Sequence, residues 1–295
     1  VPLVRTLQRH WPQARLHWVI DKGGFKLLEG LEGVTFHTYD KKTGLAGMRA
    51  LRAELPAEGF DALLQMQVAL RANLLSAFIR ARRRIGYDRS RAKDLHGLVI
   101  NERIPDRPGI HVLDAIGSFC EPLGLKQTGV TWDLPVPADA HVWARAQWPT
   151  DAMRTLVISP CSSHERRNWF ADRYAAVADH AAAQGWRSVL CGGRSDLERR
   201  TADAIIGAMR APALDLVGKD TLKQLPALLA RPDLVMTPDS GPMHIANAMG
   251  TAVLGLHAAS NPLRSGPYSS VRYCVDRYDD AARRYRGKPA SELKW

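Results

Sequence analysis

The residues whose side chains are best suited to bind a ligand or take part in a reaction lie in one short stretch, PDSGPMH, directly after an apolar run. A carboxylate, a hydroxyl and an imidazole lie close together there as Asp239, Ser240 and His244, and such groups can bind a ligand or move a proton. The same stretch could instead be a turn and a helix start, because Pro242 fits the first helical turn and Asp239 suits a turn or cap. The local sequence leaves both interpretations open.

A second polar segment, CSSHERRNWF, follows another apolar run. Ser162 and Ser163 lie between this predicted strand and a helix expected to begin near Phe170. Hydroxyl groups, backbone N–H groups and a helix N-terminus together favour an anion, and Arg166 and Arg167 add positive charge. The alternative is a polar helix cap followed by solvated arginines.

In a third segment, VLCGGRSDLERR, a predicted buried strand is followed by Gly192 and Gly193. Because glycine has no side chain, a ligand could approach the backbone closely there. Glu198 is an acid that could bond the ribose hydroxyls of a nucleotide. Ser195 and Glu198 also have the spacing of a capping box, which would account for both residues without a ligand. The segment lacks the G-x-G-x-x-G pattern, so a nicotinamide or flavin cofactor is not indicated.

The elements that must position these loops alternate between strand and helix. In the second half, the sequence predicts strands at 155–160, 187–191, 214–217, 233–237 and 251–256, and helices at 170–184, 196–209, 221–230 and 242–249. In the first half it predicts strands at 15–21, 34–40, 60–67 and 85–88, and helices ending near residue 11 and at 45–55, 70–84 and 111–125. This alternation is typical of an α/β fold with parallel sheets covered by helices.

The segment 126–150 interrupts the alternation with several prolines and is the best boundary between domains. We therefore expect two Rossmann-like domains that face a cleft, at residues 1–147 and 148–295. Ligands of open α/β sheets bind beyond the carboxyl ends of the strands. In chain order these are the first loop (CSSHERRNWF), the second loop (VLCGGRSDLERR) and the third loop (PDSGPMH). All three should lie at that edge, and this coincidence favours a binding site over three unrelated turns.

Composition narrows the classes of partner. The 295-residue chain carries 41 Lys and Arg against 30 Asp and Glu, a net charge of +11, which points to nucleic acid, an anionic membrane surface or phosphorylated molecules. The four cysteines form no C-x-x-C pair, which argues against a zinc site or disulfide framework and fits a reducing cytoplasm. No apolar run is long enough to span a membrane. The opening VPLVRTLQRHWP reads like a helix interior, so we expect further residues before Val1.

The segments together resemble one family, glycosyltransferase family 9, the ADP-heptose:lipopolysaccharide heptosyltransferases. PDSGPMHIANAMGTAV resembles its D-[ST]-G-x-x-H-x-A-x-A-x-G-x-P signature, with Ala252-Val253 where Pro-Val is usual. CSSHERRNWFADRYAAVADHAAAQG resembles its phosphate loop and following helix, and VLCGGRSDLER its glycine-then-acidic segment. FDALLQMQVALRANLLSAFIRARRRIGYDR resembles a strand, helix and IGYDR motif of the N-terminal half. The resemblance covers almost the whole chain.

This resemblance implies a GT-B architecture with an N-terminal acceptor domain and a C-terminal nucleotide-sugar domain. It implies an inverting transfer of heptose from ADP-heptose, which is a substrate, with no cofactor and no metal. In agreement, the sequence shows no convincing D-x-D motif that would hold a metal-bound pyrophosphate. Positive loops would then neutralise the diphosphate.

The resemblance also implies roles for individual residues. Ser162 and Ser163 match the family's hydroxyl pair at the diphosphate, and Arg167 matches its phosphate-binding lysine, with the charge kept but the geometry changed. Glu198 matches the ribose-binding acid better than Asp196 does. The other positions matched to the donor site are Gly192, Gly193, Asp220, Thr221, Asp239, Ser240, Gly241 and His244.

On the acceptor side the resemblance assigns fewer residues. The family's general base is an aspartate that should precede the first residue here, so no catalytic residue is assigned in this numbering. Gln67 and Arg71 are predicted to bind the phosphorylated or carboxylated lipid A–Kdo core, with Arg83 or Arg84 as further candidates. These arginines could instead end a helix, where cations are favoured. Ala115 stands where some members carry an arginine, which leaves the identity of the acceptor open.

Other functions compete with this interpretation. A nucleic-acid-binding protein would need a contiguous basic face with stacking aromatics; the arginines are spread through both halves, so nucleic acid is not an expected partner. A GT-B enzyme for another nucleotide sugar, or a non-catalytic binding protein, fits the same residues. The expected partners are a nucleotide-sugar donor, a lipid A–Kdo-type acceptor and the inner-membrane surface, which a basic acceptor half would contact from the cytoplasm.

Overall fold

The computed structural model describes residues 1–148 and 151–293, and the chain divides into two compact units. The first unit is Val1–Pro135 and the second begins at Val136. This division lies inside the linker predicted at 126–150, of which residues 149 and 150 lie outside the described residues. The helix Ala138–Gln147 packs through Ala140 and Ala144 against Ala227 of the second unit. The second unit therefore begins about one helix before the boundary expected at residue 148.

The first unit is built from two small parallel sheets and their helices. Its helices are α1 (Pro2–His10), α2 (Lys22–Leu28), α3 (Gly44–Glu54), α4 (Leu70–Ala77) and α5 (Val112–Gly117). Its strands are β1 (Leu16–Ile20), β2 (Val34–Thr38), β3 (Phe60–Gln65), β4 (Ala81–Gly86) and β5 (Glu102–Arg103). β1 pairs with β2, and β3, β4 and β5 form the second sheet in that order. Leu3, Leu7, Ile85 and Phe119 share one of its cores.

The helix predicted at 70–84 is wrong in its second half. Helix α4 ends at Ala77, and the chain then enters β4, which pairs in parallel with β3 and β5 and buries Ile85 completely. The guanidinium of Arg84 donates to the carbonyls of Ser76 and Ile79 at the end of the helix, at 2.6 Å and 2.7 Å. Strand pairing thus overrides the helical spacing of the apolar residues, and an arginine from the strand adds hydrogen bonds to carbonyls just at and beyond the end of the helix.

The helix predicted at 111–125 is also shorter than expected. It is regular only over Val112–Gly117 and tightens into a 3₁₀ turn at Ser118–Cys120. Gly124 then turns the chain with a φ of +73°, a value that glycine adopts without steric cost.

The second unit is one parallel sheet with helices along it. Its strands are β6 (Arg154–Ile158), β7 (Trp186–Leu190), β8 (Ala213–Asp215), β9 (Leu234–Pro238), β10 (Ala252–His257) and β11 (Val275–Asp276). Its helices are α6 (Ala138–Gln147), α7 (Ala171–Ala183), α8 (Asp196–Ala208), α9 (Gln224–Leu229), α10 (Gly241–Ala248), α11 (Pro262–Ser265) and α12 (Tyr278–Arg286). No helix in the described ranges is long and apolar enough to cross a membrane.

The strand order of this sheet is β11-β10-β9-β6-β7-β8. From β6 the chain builds outward through β7 and β8, and it then returns to the other side of β6 to add β9, β10 and β11. The direction of winding therefore reverses between β6 and β9. Such a switch point leaves a crevice at the carboxyl ends of the two strands, and ligands of open α/β sheets bind there.

Candidate functional site

Two helices begin at the switch point with backbone N–H groups that no side chain caps. Helix α7 follows β6 and has Phe170 at its N-cap, and α10 follows β9 and has Ser240 there. Ser240 could cap its helix, but its hydroxyl instead bonds the hydroxyl of Thr237 at 2.9 Å. Free N–H groups and the positive end of a helix dipole bind anions. The structure thus places two such ends beside the same crevice, as the sequence predicted for the first and third loops.

Within the first loop, the structure gives the two predicted serines different surroundings. Ser162 is buried; its N–H donates to Asn168 Oδ1 at 2.7 Å, and its hydroxyl donates to the carbonyl of His164 at 3.0 Å. Ser163 is exposed. Ser162 therefore shapes the loop, and Ser163 is the serine whose side chain is open to a ligand.

Arg167 is exposed and belongs to a 3₁₀ turn at Glu165–Arg167 just before α7. Among the described residues no ion pair holds its guanidinium or that of Arg166. The side-chain nitrogen of Asn168 is buried and has no hydrogen-bond partner among the described residues. This loop therefore offers positive charge and an unused donor to an anion next to the start of α7.

The third loop couples the two ionisable residues of the opening motif. Asp239 directly follows β9, and its carboxylate lies 3.6 Å from Nε2 of His244, which is half exposed on α10. Burial alone would raise the pKa of Asp239. The nearby polar groups of His244 and Ser260 and the charges of His244 and His257 outweigh burial and lower this pKa to about 2. Asp239 is therefore a firmly ionised carboxylate that orients His244.

In the second loop, the predicted ribose-binding acid, Glu198, makes its hydrogen bonds within the protein. Glu198 accepts from the backbone N–H of Gly193 at 2.7 Å and from the hydroxyl of Ser195 at 2.7 Å. A Cβ atom on Gly193 would lie 2.8 Å from Glu198 Oε2, so the glycine makes room for this carboxylate. Ser195 also accepts from the N–H of Glu198 at 3.3 Å and caps α8. The capping interpretation is thus observed, and both oxygens of Glu198 already have a donor.

Asp220 lies next to this loop and has an unusual electrostatic setting. The backbone joins the two segments, since Gly218 N donates to Gly192 O at 2.8 Å. Burial, together with the charge of Glu198, raises the pKa of Asp220 to about 6, although Arg194 acts in the opposite direction. Thr221 follows and caps the turn before α9 through contacts with Gln224. The structure therefore brings the predicted ribose-binding acid, Glu198, and the donor-site residues Asp220 and Thr221 to one place.

In the first unit, the structure separates the acceptor candidates into two groups. Gln67 and Arg71 are exposed at and beyond the carboxyl end of β3, as a ligand-binding role requires. Arg83 pairs with Glu102 through two bonds of 2.7 Å and 2.6 Å, and Arg84 donates to backbone carbonyls. Their guanidinium groups are thus occupied by the fold, so the suggestion that they contact an acceptor is not supported.

Three further residues lie at the carboxyl-end edge of this sheet, and the sequence did not indicate them. Asn168 holds the first loop, Ser265 donates to the carboxylate of Asp239 at 3.4 Å, and Ser260 helps to lower the pKa of Asp239. Ser260 lies three positions beyond the end of β10, the strand next to β9. The rule that ligands gather at strand ends could have drawn attention to this loop, but its contact with Asp239 follows from tertiary structure.

Comparison with known proteins places this geometry in a family. The family described as glycosyltransferase family 9 (heptosyltransferase) matches residues 48–295. The lipopolysaccharide core heptosyltransferase OpsX of Haemophilus influenzae is 37% identical over 293 residues, which cover 99% of this chain and 84% of that protein.

Solved structures show the same fold. A glycosyl transferase family 9 protein from Veillonella parvula has a TM-score of 0.82 at 22% identity, covering 99% of this chain and 88% of that one. The E. coli heptosyltransferase WaaC with ADP-2-deoxy-2-fluoro heptose has a TM-score of 0.68 at 19% identity, covering 88% of this chain and 84% of that one. These likenesses confirm the predicted GT-B fold. The chain therefore belongs to glycosyltransferase family 9, the heptosyltransferases, and is a glycosyltransferase.

Proposed function

We propose that this protein transfers heptose from ADP-heptose to the inner core of lipopolysaccharide, on a lipid A–Kdo-type acceptor. The observation that carries the proposal is the pair of uncapped helix N-termini at the switch point between β6 and β9. A diphosphate is the part of the donor that such an edge suits. The relative from Haemophilus influenzae, a lipopolysaccharide core heptosyltransferase, supports the acceptor, and the sugar nucleotide bound to WaaC supports the donor.

The proposed reaction is an inverting displacement. An acceptor hydroxyl attacks the anomeric carbon, the new C–O bond forms on the opposite face, and the bond to the diphosphate breaks to release ADP. Arg167 and the N–H groups of α7 and α10 stabilise the charge on the departing diphosphate, so no metal ion is required. The proton of the attacking hydroxyl goes to a carboxylate, for which we keep the aspartate predicted before Val1.

Calorimetric titration tests the donor assignment. ADP-heptose should bind with a measurable affinity that is unchanged by EDTA, whereas UDP- and GDP-sugars should bind far more weakly. Preference for UDP or GDP would identify a GT-B enzyme of another donor class. If none of these nucleotide sugars binds, the proposal is wrong.

We also propose that the first unit contacts the inner-membrane surface from the cytoplasmic side. Leu70 and Leu74, one turn apart on α4, and Leu95 and Leu98, spaced by one 3₁₀ turn, are between 45% and 79% exposed. The two segments are adjacent, since the N–H of Leu70 donates to Asp94 Oδ2 at 3.2 Å. We name these four leucines the leucine surface.

Unpaired cations flank the leucine surface. Arg71 and Lys93 are exposed, and among the residues that the structure describes neither takes part in an ion pair. Gln67 and Arg71, the proposed acceptor residues, lie at the same end of α4. Exposed leucines beside free cations suit an anionic bilayer, in which apolar side chains enter the interface and basic groups bind the headgroups. Docking at this place would bring the enzyme to a lipid-anchored acceptor.

Sedimentation with lipid vesicles tests this surface. The protein should co-sediment with vesicles containing phosphatidylglycerol and less so with pure phosphatidylcholine. A Leu95→Ser/Leu98→Ser variant should lose most of this binding, while Leu45→Ser, at another exposed leucine on α3, should keep it. Equal binding by both variants would contradict the assignment, and transfer to a short, water-soluble acceptor should be unaffected in either case.

A further inference from the structure

A buried hydrogen-bond network joins three segments of the first unit. Its centre is Asn73 on α4, which is only 1% exposed. The Oδ1 atom of Asn73 accepts from Gln65 Nε2 at 3.0 Å and lies 2.9 Å from Nδ1 of His96, which is also buried. Gln65 ends β3, and His96 directly follows Leu95 of the leucine surface. The network therefore connects a strand end, a helix and a segment with exposed leucines.

The side-chain nitrogen of Asn73 extends the network to the backbone. It donates to the carbonyl of Val68 at 3.1 Å, next to the proposed acceptor residue Gln67. It also donates to the carbonyls of Lys93 and Asp94, at 3.3 Å and 2.9 Å. An amide NH₂ group has two protons, so the three carbonyls share them. One buried side chain thus ties the turn before α4 to the segment after β4.

The segment after β4 has a strained backbone. Asp94 and Leu95 have φ values of +49° and +65°, in the left-handed region that residues other than glycine rarely adopt. Such strain persists only where surrounding contacts fix it, and it gathers at functional sites. Here the contacts are the bond from Asn73 and the bond from the N–H of Leu70 to Asp94 Oδ2 at 3.2 Å. The strained segment carries Leu95 and Leu98, which remain exposed.

The geometry determines which ring nitrogen of His96 carries the proton. The backbone N–H of Tyr87 donates to Nε2 of His96 at 3.0 Å, so Nε2 holds a lone pair. A neutral ring then has its proton on Nδ1 and donates it to Asn73 Oδ1. Burial and the charge of Arg103 lower the pKa of His96, which favours the neutral ring at neutral pH. A Cβ atom on Gly86 would lie 2.5 Å from Nε2, so β4 leaves room for the imidazole there.

We propose that Asn73 and His96 are positioning residues for binding of the acceptor. Both side chains are buried, so they act through the turn that holds Gln67 and through the strained segment that holds Leu95. Without the bond between Asn73 and His96, this segment would lose one of its ties to α4, and acceptor binding would weaken. The proposal rests on the proposed function, because Gln67 and the leucine surface belong to the proposed acceptor side.

Two substitutions separate the two bonds of His96. In His96→Asn the amide nitrogen lies close to the place of Nδ1, so it keeps the bond to Asn73 and loses the bond from Tyr87. In His96→Gln the amide oxygen lies close to the place of Nε2, so it keeps the bond from Tyr87 and loses the bond to Asn73. Each variant lacks one buried hydrogen bond, so the two should have similar melting temperatures.

Acceptor kinetics compare these two variants. His96→Gln should raise the KM for the acceptor by about three- to tenfold, the effect of losing one buried hydrogen bond. Its kcat at saturating acceptor should stay within about twofold of the parent. His96→Asn should keep both the KM and the kcat within about twofold. An unchanged KM in His96→Gln, or an equal rise in both variants, would overturn the proposal. The comparison applies to whichever acceptor the enzyme uses.

NMR of the whole protein tests the network without substrate. Long-range ¹H–¹⁵N spectra should show a proton on Nδ1 of His96 and none on Nε2 at neutral pH. Amide hydrogen exchange over residues 93–98 should be faster in His96→Gln than in His96→Asn. A proton fixed on Nε2, or equal exchange in the two variants, would overturn the proposal. A failure to use ADP-heptose would instead contradict only the proposed function.

A matched control separates positioning from stability. Thr6 on α1 is buried in the same unit and donates to the carbonyl of Pro2 at 3.1 Å. Thr6→Val should lower the melting temperature without changing the acceptor KM, and His96→Gln should bind ADP with the affinity of the parent. A rise in KM in Thr6→Val as large as in His96→Gln would overturn the proposal. If His96→Gln does not fold, the KM of His96→Asn and the ring proton of the parent still decide the matter.

Discussion

At the scale of residues, the pKa values of two aspartates at the carboxyl-end edge of the second unit's sheet are shifted in opposite directions. Asp239 accepts a hydrogen bond from Ser265 at 3.4 Å and lies beside His244, and its pKa is lowered to about 2. Asp220 is half-buried near Glu198, and its pKa is raised to about 6. Both side chains are partly buried, so the difference comes from their neighbours. Asp239 can thus fix His244, whereas Asp220 can change its charge when a ligand binds.

Arg167 provides the most direct residue-scale prediction. Arg167→Ala should lower kcat with ADP-heptose by about 10²- to 10³-fold, because it removes a donor aimed at the charge of the departing diphosphate. Steady-state kinetics at saturating donor would measure this loss. Arg166→Ala is the matched control, since Arg166 is an equally exposed neighbour in the same turn, and it should stay within a few-fold of the parent. Parent-like turnover of Arg167→Ala would exclude the assigned role.

Asp220 should make stability depend on pH. The folded protein holds the proton of this carboxyl more tightly than the unfolded chain, because the pKa rises from 3.8 to about 6 on folding. The free energy of unfolding therefore falls as the pH rises from below about 4 to above about 6, by roughly 3 kcal/mol in total from this group. Asp220→Asn should remove this fall and be the more stable protein at pH 7.

Urea unfolding at several pH values measures the difference between the parent and Asp220→Asn. Asp196→Asn serves as the control, because Asp196 is exposed and its substitution should not change the slope over the same pH range. If the free energy of unfolding changes equally with pH in the parent and in Asp220→Asn between pH 4 and pH 6, burial does not raise the pKa of Asp220.

At the scale of elements, β10 gives a prediction about packing. Gly255→Ala should destabilise the protein by about 1–3 kcal/mol, because its methyl group would contact the ring of His257 and the sulfur of Cys274. Gly207→Ala on α8 is the matched substitution, since a Cβ atom there meets nothing within 4 Å. It should be neutral or stabilising by up to about 1 kcal/mol. Thermal unfolding would compare the two, and equal melting temperatures would contradict the tight packing around His257.

Much of the second unit could be predicted from the sequence. The strands and helices from β6 to β10 lie close to the predicted bounds, because apolar spacing, turn residues and burial agree there. The helix predicted at 70–84 failed because pairing of β4 with β3 and β5 outweighs a local helical pattern. Helix α6 was not predicted, since small residues such as Ala140 and Ala144 form its buried face and give a weak pattern.

The sequence indicated which loops form the candidate site, but not which side chains bind to each other within it. Strand ends and turn residues indicated the loops that hold Arg167, Glu198 and Asp239, because parallel strands bring their carboxyl ends to one edge. The partners of these residues come from elsewhere in the chain, as Ser265 does for Asp239. Such contacts follow from the packing of β9 beside β10, which no local pattern reveals.

At the scale of the whole molecule, the positive charge fits the proposed substrates. A net charge of +11 favours a diphosphate donor and an acidic, lipid-anchored acceptor through long-range attraction. This attraction should weaken with salt, because ions screen exposed charges over about 8 Å at physiological ionic strength. The same charge would also attract nucleic acid, but membership of glycosyltransferase family 9 gives the charge a role in a glycosyl transfer reaction.

Mass spectrometry of the reaction product tests the central claim most directly. The protein, ADP-heptose and a Kdo–lipid A acceptor should yield an acceptor heavier by one heptose residue, together with an equal amount of ADP, in the presence of EDTA. UDP- and GDP-sugars under the same conditions should leave the acceptor unchanged. An acceptor that gains no mass from ADP-heptose but gains a sugar from UDP- or GDP-sugar would contradict the assignment of this protein as an ADP-heptose-dependent enzyme.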